Sequence, residues 1–197
     1  MTNFKIIQRV FYQFLIVISL ALIFEFIYNG LKVSTVYNTV ENILFSVLLV
    51  SPLFLIPYRK IQIAYISVAY VLFCLSIFFE AVYYYFFEAF LSASSLFVSF
   101  DSNRSEAIEF LNFYLDTNVI VFSVLMFIII VLSVYKLTTS LSSFKKQSKL
   151  PVTKVSVCVL IILTFLKFST LIVFNLPYLI FKSTIEYVSE SSKLGDY

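Results

Sequence analysis

The stretch DSNRSEAIEFL, from Asp101 to Leu111, gathers an amide, two hydroxyls, an arginine and three carboxylates into eleven residues. Asn103 followed three positions later by Glu106 is a helix-start pattern. The Asn side chain accepts from free N–H groups of the first turn, and the Glu reaches back to the cap residue. Ala107, Ile108, Phe110, Leu111, Tyr114 and Leu115 then continue an apolar helical face. Capping is worth about 1 kcal/mol and accounts for Asn103 and Glu106. It leaves Asp101 and Glu109 without a reason, and acids grouped in this way could equally bind a cation or a partner.

A second chemical feature is a pair of charges inside apolar runs, Glu25 and Lys167. An isolated charge at the bilayer centre costs at least about 2.5–3.5 kcal/mol. Both are expected in the outer half of the membrane at similar depth, where they would form an ion pair or snorkel separately to the interface.

The elements that must position these groups follow from composition. Of the 197 residues, 61% are hydrophobic and 13% charged, proportions of a chain whose solvent is lipid. About 17–25 apolar residues suffice for a helix to cross the bilayer. Five segments qualify, at about 10–28, 42–58, 61–80, 118–135 and 155–174. The second carries Pro52, where a kink is expected. The runs are continuous rather than alternating, which predicts an all-α integral membrane fold and argues against a β-barrel.

Cations set the predicted orientation. Lys5 and Arg9 precede the first segment, Arg59 and Lys60 join the second to the third, and Lys136, Lys145, Lys146, Lys149 and Lys154 lie between the fourth and fifth. The acids fall on the opposite side, so the N-terminus is expected inside and the C-terminus outside. The first segment is longer than a signal peptide's apolar core and lacks a convincing cleavage site after it, so it reads as a retained anchor. The net charge of +3 then reflects topology and gives no argument for nucleic acid.

Between the third and fourth segments, about 81–117 forms a long outer loop. At its start Glu80, Tyr84 and Glu88 recur every four residues on one helical stripe, with Val82, Tyr83, Phe86, Phe87 and Phe90 over much of the rest. Interfacial helices are expected in this loop; the alternative for its first part is the outer end of a long third helix.

Other chemistries are excluded within this chain. It contains no histidine, which rules out a Ser-His-Asp triad, a Cys-His dyad and a His-ligated zinc site. Cys74 and Cys158 both fall within apolar segments and offer no outer disulfide framework. Gly30 and Gly195 cannot build a phosphate-cradling loop, and no internal repeat suggests a transporter.

The run SFDSNRSEAIEFL resembles the TN-x-x-EA-x-E-[FY] segment in the membrane domain of bacterial phosphoethanolamine transferases, which modify lipid A or lipopolysaccharide core sugars. That family's membrane domain has five helices, the N-terminus inside, the C-terminus outside and the motif in the outer loop between helices three and four. The resemblance implies that Ser102, Asn103, Glu106 and Glu109 bind a phospholipid head group. Glu106 or Glu109 would pair with the amine of phosphatidylethanolamine and the Ser102 hydroxyl would bond a phosphate oxygen. Ser102 stands where the family usually has Thr, and Val98 where some members have a further Asn.

The resemblance also implies a periplasmic catalytic domain, fused or separate, of alkaline-phosphatase-like fold, with a threonine nucleophile and zinc. NLPYLIFKSTIEYVSESSKLGDY resembles the segment leading into that domain. The 197 residues themselves are expected to be catalytically incomplete, with no metal site. The implied setting is the bacterial inner membrane. The competing expectation is a non-enzymatic polytopic membrane protein whose acidic outer loop binds a partner or a cation.

Overall fold

The computed structural model describes residues 3–56, 58–89, 105, 108–109, 115–142, 159–165 and 184–185. Every regular element among them is helical: α1 (Asn3–Asn29), α2 (Val33–Val50) continuing into a 3-10 turn (Ser51–Phe54), α3 (Arg59–Phe87) and α4 (Thr117–Ser142). Among the described residues, four helices are long and apolar enough to cross a membrane, over Ile6–Asn29, Val33–Leu53, Arg59–Phe87 and Thr117–Leu141. Of the expected fifth segment, residues 159–165 are helical and the remainder lies outside the described residues.

The buried positions of α1, among them Val10, Phe14, Val17, Ala21 and Phe24, recur every three or four residues. Those of α3, including Gln62, Ile66, Ala69, Phe73, Ile77, Glu80 and Tyr84, do the same. This is the seam that lets near-parallel helices interlock. α1 packs against all three other helices and α3 packs against α4, whereas α2 meets α3 only lightly. Aromatic rings fill the seam. Phe24 stacks on Phe122 at 4.1 Å between centroids, Phe78 stacks on the same ring at 5.6 Å, and Phe14 meets Tyr70 edge-on at 5.0 Å. The outward positions, such as Ile16, Ile23, Val68, Leu72, Phe127 and Val131, are equally apolar and exposed. Apolar residues inside and outside are what a lipid solvent calls for.

Polar side chains within the bundle bond polar groups of neighbouring segments, as hydrocarbon demands. The Ser133 hydroxyl donates to Gln13 Oε1 at 3.0 Å, and Tyr70 donates to the Gln13 carbonyl at 3.3 Å. Gln62 Nε2 donates to the carbonyls of Leu53 (3.0 Å) and Ile56 (2.8 Å), closing the turn between α2 and α3.

Three expectations need correction. The second span begins at Val33 rather than near residue 42, because its early polar residues turn inward while Val36, Tyr37 and Val40 face outward. Pro52 does not kink a continuing helix; α2 ends at Val50, and the proline, lacking an N–H, sits in the first turn of the 3-10 segment. The third helix does not stop near residue 80. It runs unbroken to Phe87, so residues 81–87 are its last two turns and not an interfacial helix. Glu88 ends it in the left-handed region (φ 49°), its N–H bonded to the Tyr84 carbonyl.

Gly30 performs the same task for α1, with φ 70° and its N–H on the Phe26 carbonyl. α4 starts at an aspartate cap. Asp116 Oδ1 accepts from the Val119 N–H at 2.8 Å, and its Oδ2 accepts from the Tyr85 hydroxyl at 2.6 Å. Burial works against the ionised carboxyl, but hydrogen bonds from Tyr85, Val119 and Asn118 outweigh it and hold Asp116 below its ordinary value of 3.8. A depressed aspartate stabilises the fold above that value and loses its contribution as pH falls through the lowered one. Asp116→Ala is expected to cost about 1 kcal/mol in thermal unfolding in detergent at pH 7, with the difference from wild type shrinking as the pH falls below 3.8.

Candidate functional site: a buried carboxylate and amide cluster

The up-and-down order of the helices brings the end of α1, the start of α2, the end of α3 and the start of α4 to one end of the bundle. Asn29 Nδ2 donates to the Tyr84 carbonyl at 2.8 Å. Lys32 pairs with Glu88 and sits 5.9 Å from the centroid of the Tyr84 ring. This exposed ion pair raises the lysine and lowers the glutamate from their ordinary values, mainly through the hydrogen bond they share.

Beneath this rim the interior is polar. On α2 the buried face consists of Thr35, Asn38, Glu41, Asn42, Ser46 and Val50, five of them polar. Asn42 Nδ2 bridges two acceptors, Glu80 Oε2 on α3 at 3.1 Å and Asn38 Oδ1 one turn earlier at 3.3 Å. Glu25 of α1 is 3% exposed and Glu80 2%. These two acids, with Asn38, Thr39, Asn42 and the apolar Ile18, Ala21, Leu22 and Ile77, enclose a cavity of about 10 Å³. That is near the minimum one water needs. Thr39 donates its hydroxyl to the Thr35 carbonyl at 2.8 Å, leaving its oxygen as an acceptor.

Two carboxyl groups from separate helices, flanked by amides, thus meet in the interior of the bundle. Among the described residues no set of three or more His, Cys, Asp or Glu is arranged to hold a metal. The amide bridge is the local reason that α2 buries its polar side. With Asn38 and Asn42 facing lipid, their donors would find no partner, a loss of several kcal/mol for each unsatisfied group in hydrocarbon.

The residues singled out from sequence divide as follows. Ser102, Asn103 and Glu106 lie outside the described residues. Glu109 is helical and exposed. Glu25 is buried as an intramembrane acid, and its proposed partner Lys167 lies outside the described residues. What sequence reasoning missed is the company Glu25 keeps: Glu80, Asn38, Asn42 and Thr39. The stripe of Glu80, Tyr84 and Glu88 was correctly a helical one, but Glu80 and Tyr84 face the bundle instead of an interface. The missed signal was the spacing of Thr35, Asn38 and Asn42, three polar residues on one face among apolar ones.

No family model, curated protein or solved structure matches the chain. The helices by themselves define its class, a multi-pass α-helical membrane protein.

If Glu25 pairs with Lys167, Glu25→Gln and Lys167→Gln are each expected to lower the yield of monodisperse protein extracted in detergent. Exchanging the two charges, Glu25→Lys with Lys167→Glu, is expected to recover it. Failure of the exchange to recover yield would remove Lys167 as the counter-charge of this cluster.

Proposed function

We propose that this chain is the membrane-anchoring and lipid-donor-binding part of a bacterial phosphoethanolamine transferase acting on lipid A or lipopolysaccharide. It would lie in the inner membrane with five spans, the N-terminus inside and the long loop outside. The observation that carries the reading is a coincidence of place. The segment bearing SNRSEAIEF leaves α3 at Glu88 and enters α4 at Asp116. This is the end of the bundle at which the acid and amide cluster is buried.

In this reading the donor is phosphatidylethanolamine. Glu106 and Glu109 take its ammonium, Ser102 and Asn103 its phosphate oxygens, and the Lys32–Glu88 pair and Asp116 fix the two ends of the loop that carries them. Charge-assisted hydrogen bonds of this kind are about twice as strong as neutral ones. A carboxylate pair also selects a primary ammonium over a trimethylated one, which has no N–H to donate. The group transfer belongs to a periplasmic catalytic domain, with its own nucleophile and zinc, for which this chain supplies the anchor and the lipid.

The test is photo-crosslinking in proteoliposomes. A photoactivatable phosphatidylethanolamine is expected to label residues 99–115, and Glu106→Ala to reduce that labelling more than tenfold. Labelling by the phosphatidylcholine analogue at the same level, or an unaffected Glu106→Ala variant, would reject the reading.

A further inference from the structure

At the opposite end of the bundle from the acid cluster, α3 begins in a way that its own electrostatics disfavour. Its first two residues, Arg59 and Lys60, are both exposed cations. They stand at the positive end of the helix dipole, where acids are favoured and cations disfavoured. The first turn contains no acidic residue, and the cap residue Tyr58 contributes no side-chain hydrogen bond to the free N–H groups. Among the described residues neither cation has an acidic partner; the ion pair seen is Lys32 with Glu88.

Lys60 also stands at the mouth of a groove. Because α2 and α3 touch only lightly, a cleft of about 750 Å³ opens between them, floored by Phe45 and Leu49 of α2 and by Ala64, Tyr65, Val68 and Phe73 of α3. The polar end of Tyr65 is turned away from service to a ligand, its hydroxyl donating to the Leu49 carbonyl at 3.0 Å. From Lys60 to Phe73 the groove follows α3 for about 20 Å at 1.5 Å per residue. That exceeds one leaflet's share of a hydrocarbon core about 30 Å thick. The volume falls within the range of sites that enclose small ligands, about 300–1,000 Å³.

A cationic helix start continuous with a long apolar groove is complementary to one kind of molecule, with an anion at one end and a hydrocarbon chain at the other. We propose that this groove is a binding site for an anionic phospholipid of the leaflet at the Arg59 end. One acyl chain lies between α2 and α3, and the head-group phosphate sits on Arg59, Lys60 and the first N–H groups of α3. The phosphate supplies the negative charge that the first turn lacks, and basic sites between membrane helices recognise lipid head groups by this chemistry. The small side chain of Ala64 keeps the groove open. The site stands apart from the head-group site proposed for residues 102–109, at the other end of the bundle, and does not depend on that assignment.

The experiment is native mass spectrometry of the full chain released from nanodiscs that contain equal amounts of phosphatidylglycerol and phosphatidylcholine. Wild type is expected to retain one phosphatidylglycerol with at least a tenfold preference. Arg59→Gln with Lys60→Gln is expected to retain either lipid without preference, while Ala64→Trp, which fills the groove, is expected to retain neither. Val68→Trp fills the groove from the next turn and is the second variant should Ala64→Trp fail to yield monodisperse protein. Equal retention of the two lipids by wild type would overturn the proposal. So would undiminished retention by a well-folded groove-filled variant, which is also the outcome expected if another segment of this chain occupies the groove.

Discussion

The bond from Asn42 to Glu80 is the constraint on which the rest of the bundle turns. It ties α2 to α3 at 3.1 Å across the interior, and it determines which side of α2 faces inward. Once that side is chosen, Asn38 and Thr35 follow it into the bundle and Val36, Tyr37 and Val40 are delivered to lipid. Hydrophobic burial cannot make this choice, because lipid is as apolar as a protein core. Polar groups that must find partners make it.

The same logic explains the division of the molecule into two unlike ends. Near Asn29 the interior is acidic and hydrogen-bonded, and the rim is closed by the Lys32–Glu88 pair and by the Asp116 cap. Near Arg59 the surface is cationic, and the space between α2 and α3 is apolar and open. An acidic interior at one end and a basic helix start at the other make the two ends electrostatically unlike. The seam of α1, α3 and α4 runs between them, filled by Phe24, Phe78 and Phe122 near the first end and by Phe14 and Tyr70 further along.

Sequence made the helical membrane class legible, since runs such as NVIVFSVLMFIIIVLSVY have no other stable solution. It was less informative about boundaries wherever polar residues serve the interior. A charge-free run begins only at Asn42, after Glu41, and so leaves out Thr35, Asn38 and Glu41. The structure restores them as a buried face. Glu80 and Glu88 share a stripe and a residue type, yet one is buried and the other exposed. Their difference comes from depth along α3, which spacing alone does not encode. Glu25 was legible as an oddity because it stands in an apolar run. Its neighbours were not, since Asn38, Asn42 and Glu80 come from two other helices and meet only when those helices pack.

The most direct measurement of this account is a spin-label accessibility scan of positions 33–50 in lipid bilayers, read by electron paramagnetic resonance with oxygen as the lipid-soluble relaxant. Labels at 36, 37 and 40 are expected to be strongly relaxed by oxygen, and labels at 35, 38 and 42 shielded, with a helical period running through the whole span. The reverse phase, or water exposure throughout 33–41, would contradict it. Either result would mean that α2 does not bury its polar face and that the carboxylate and amide cluster does not exist in the membrane.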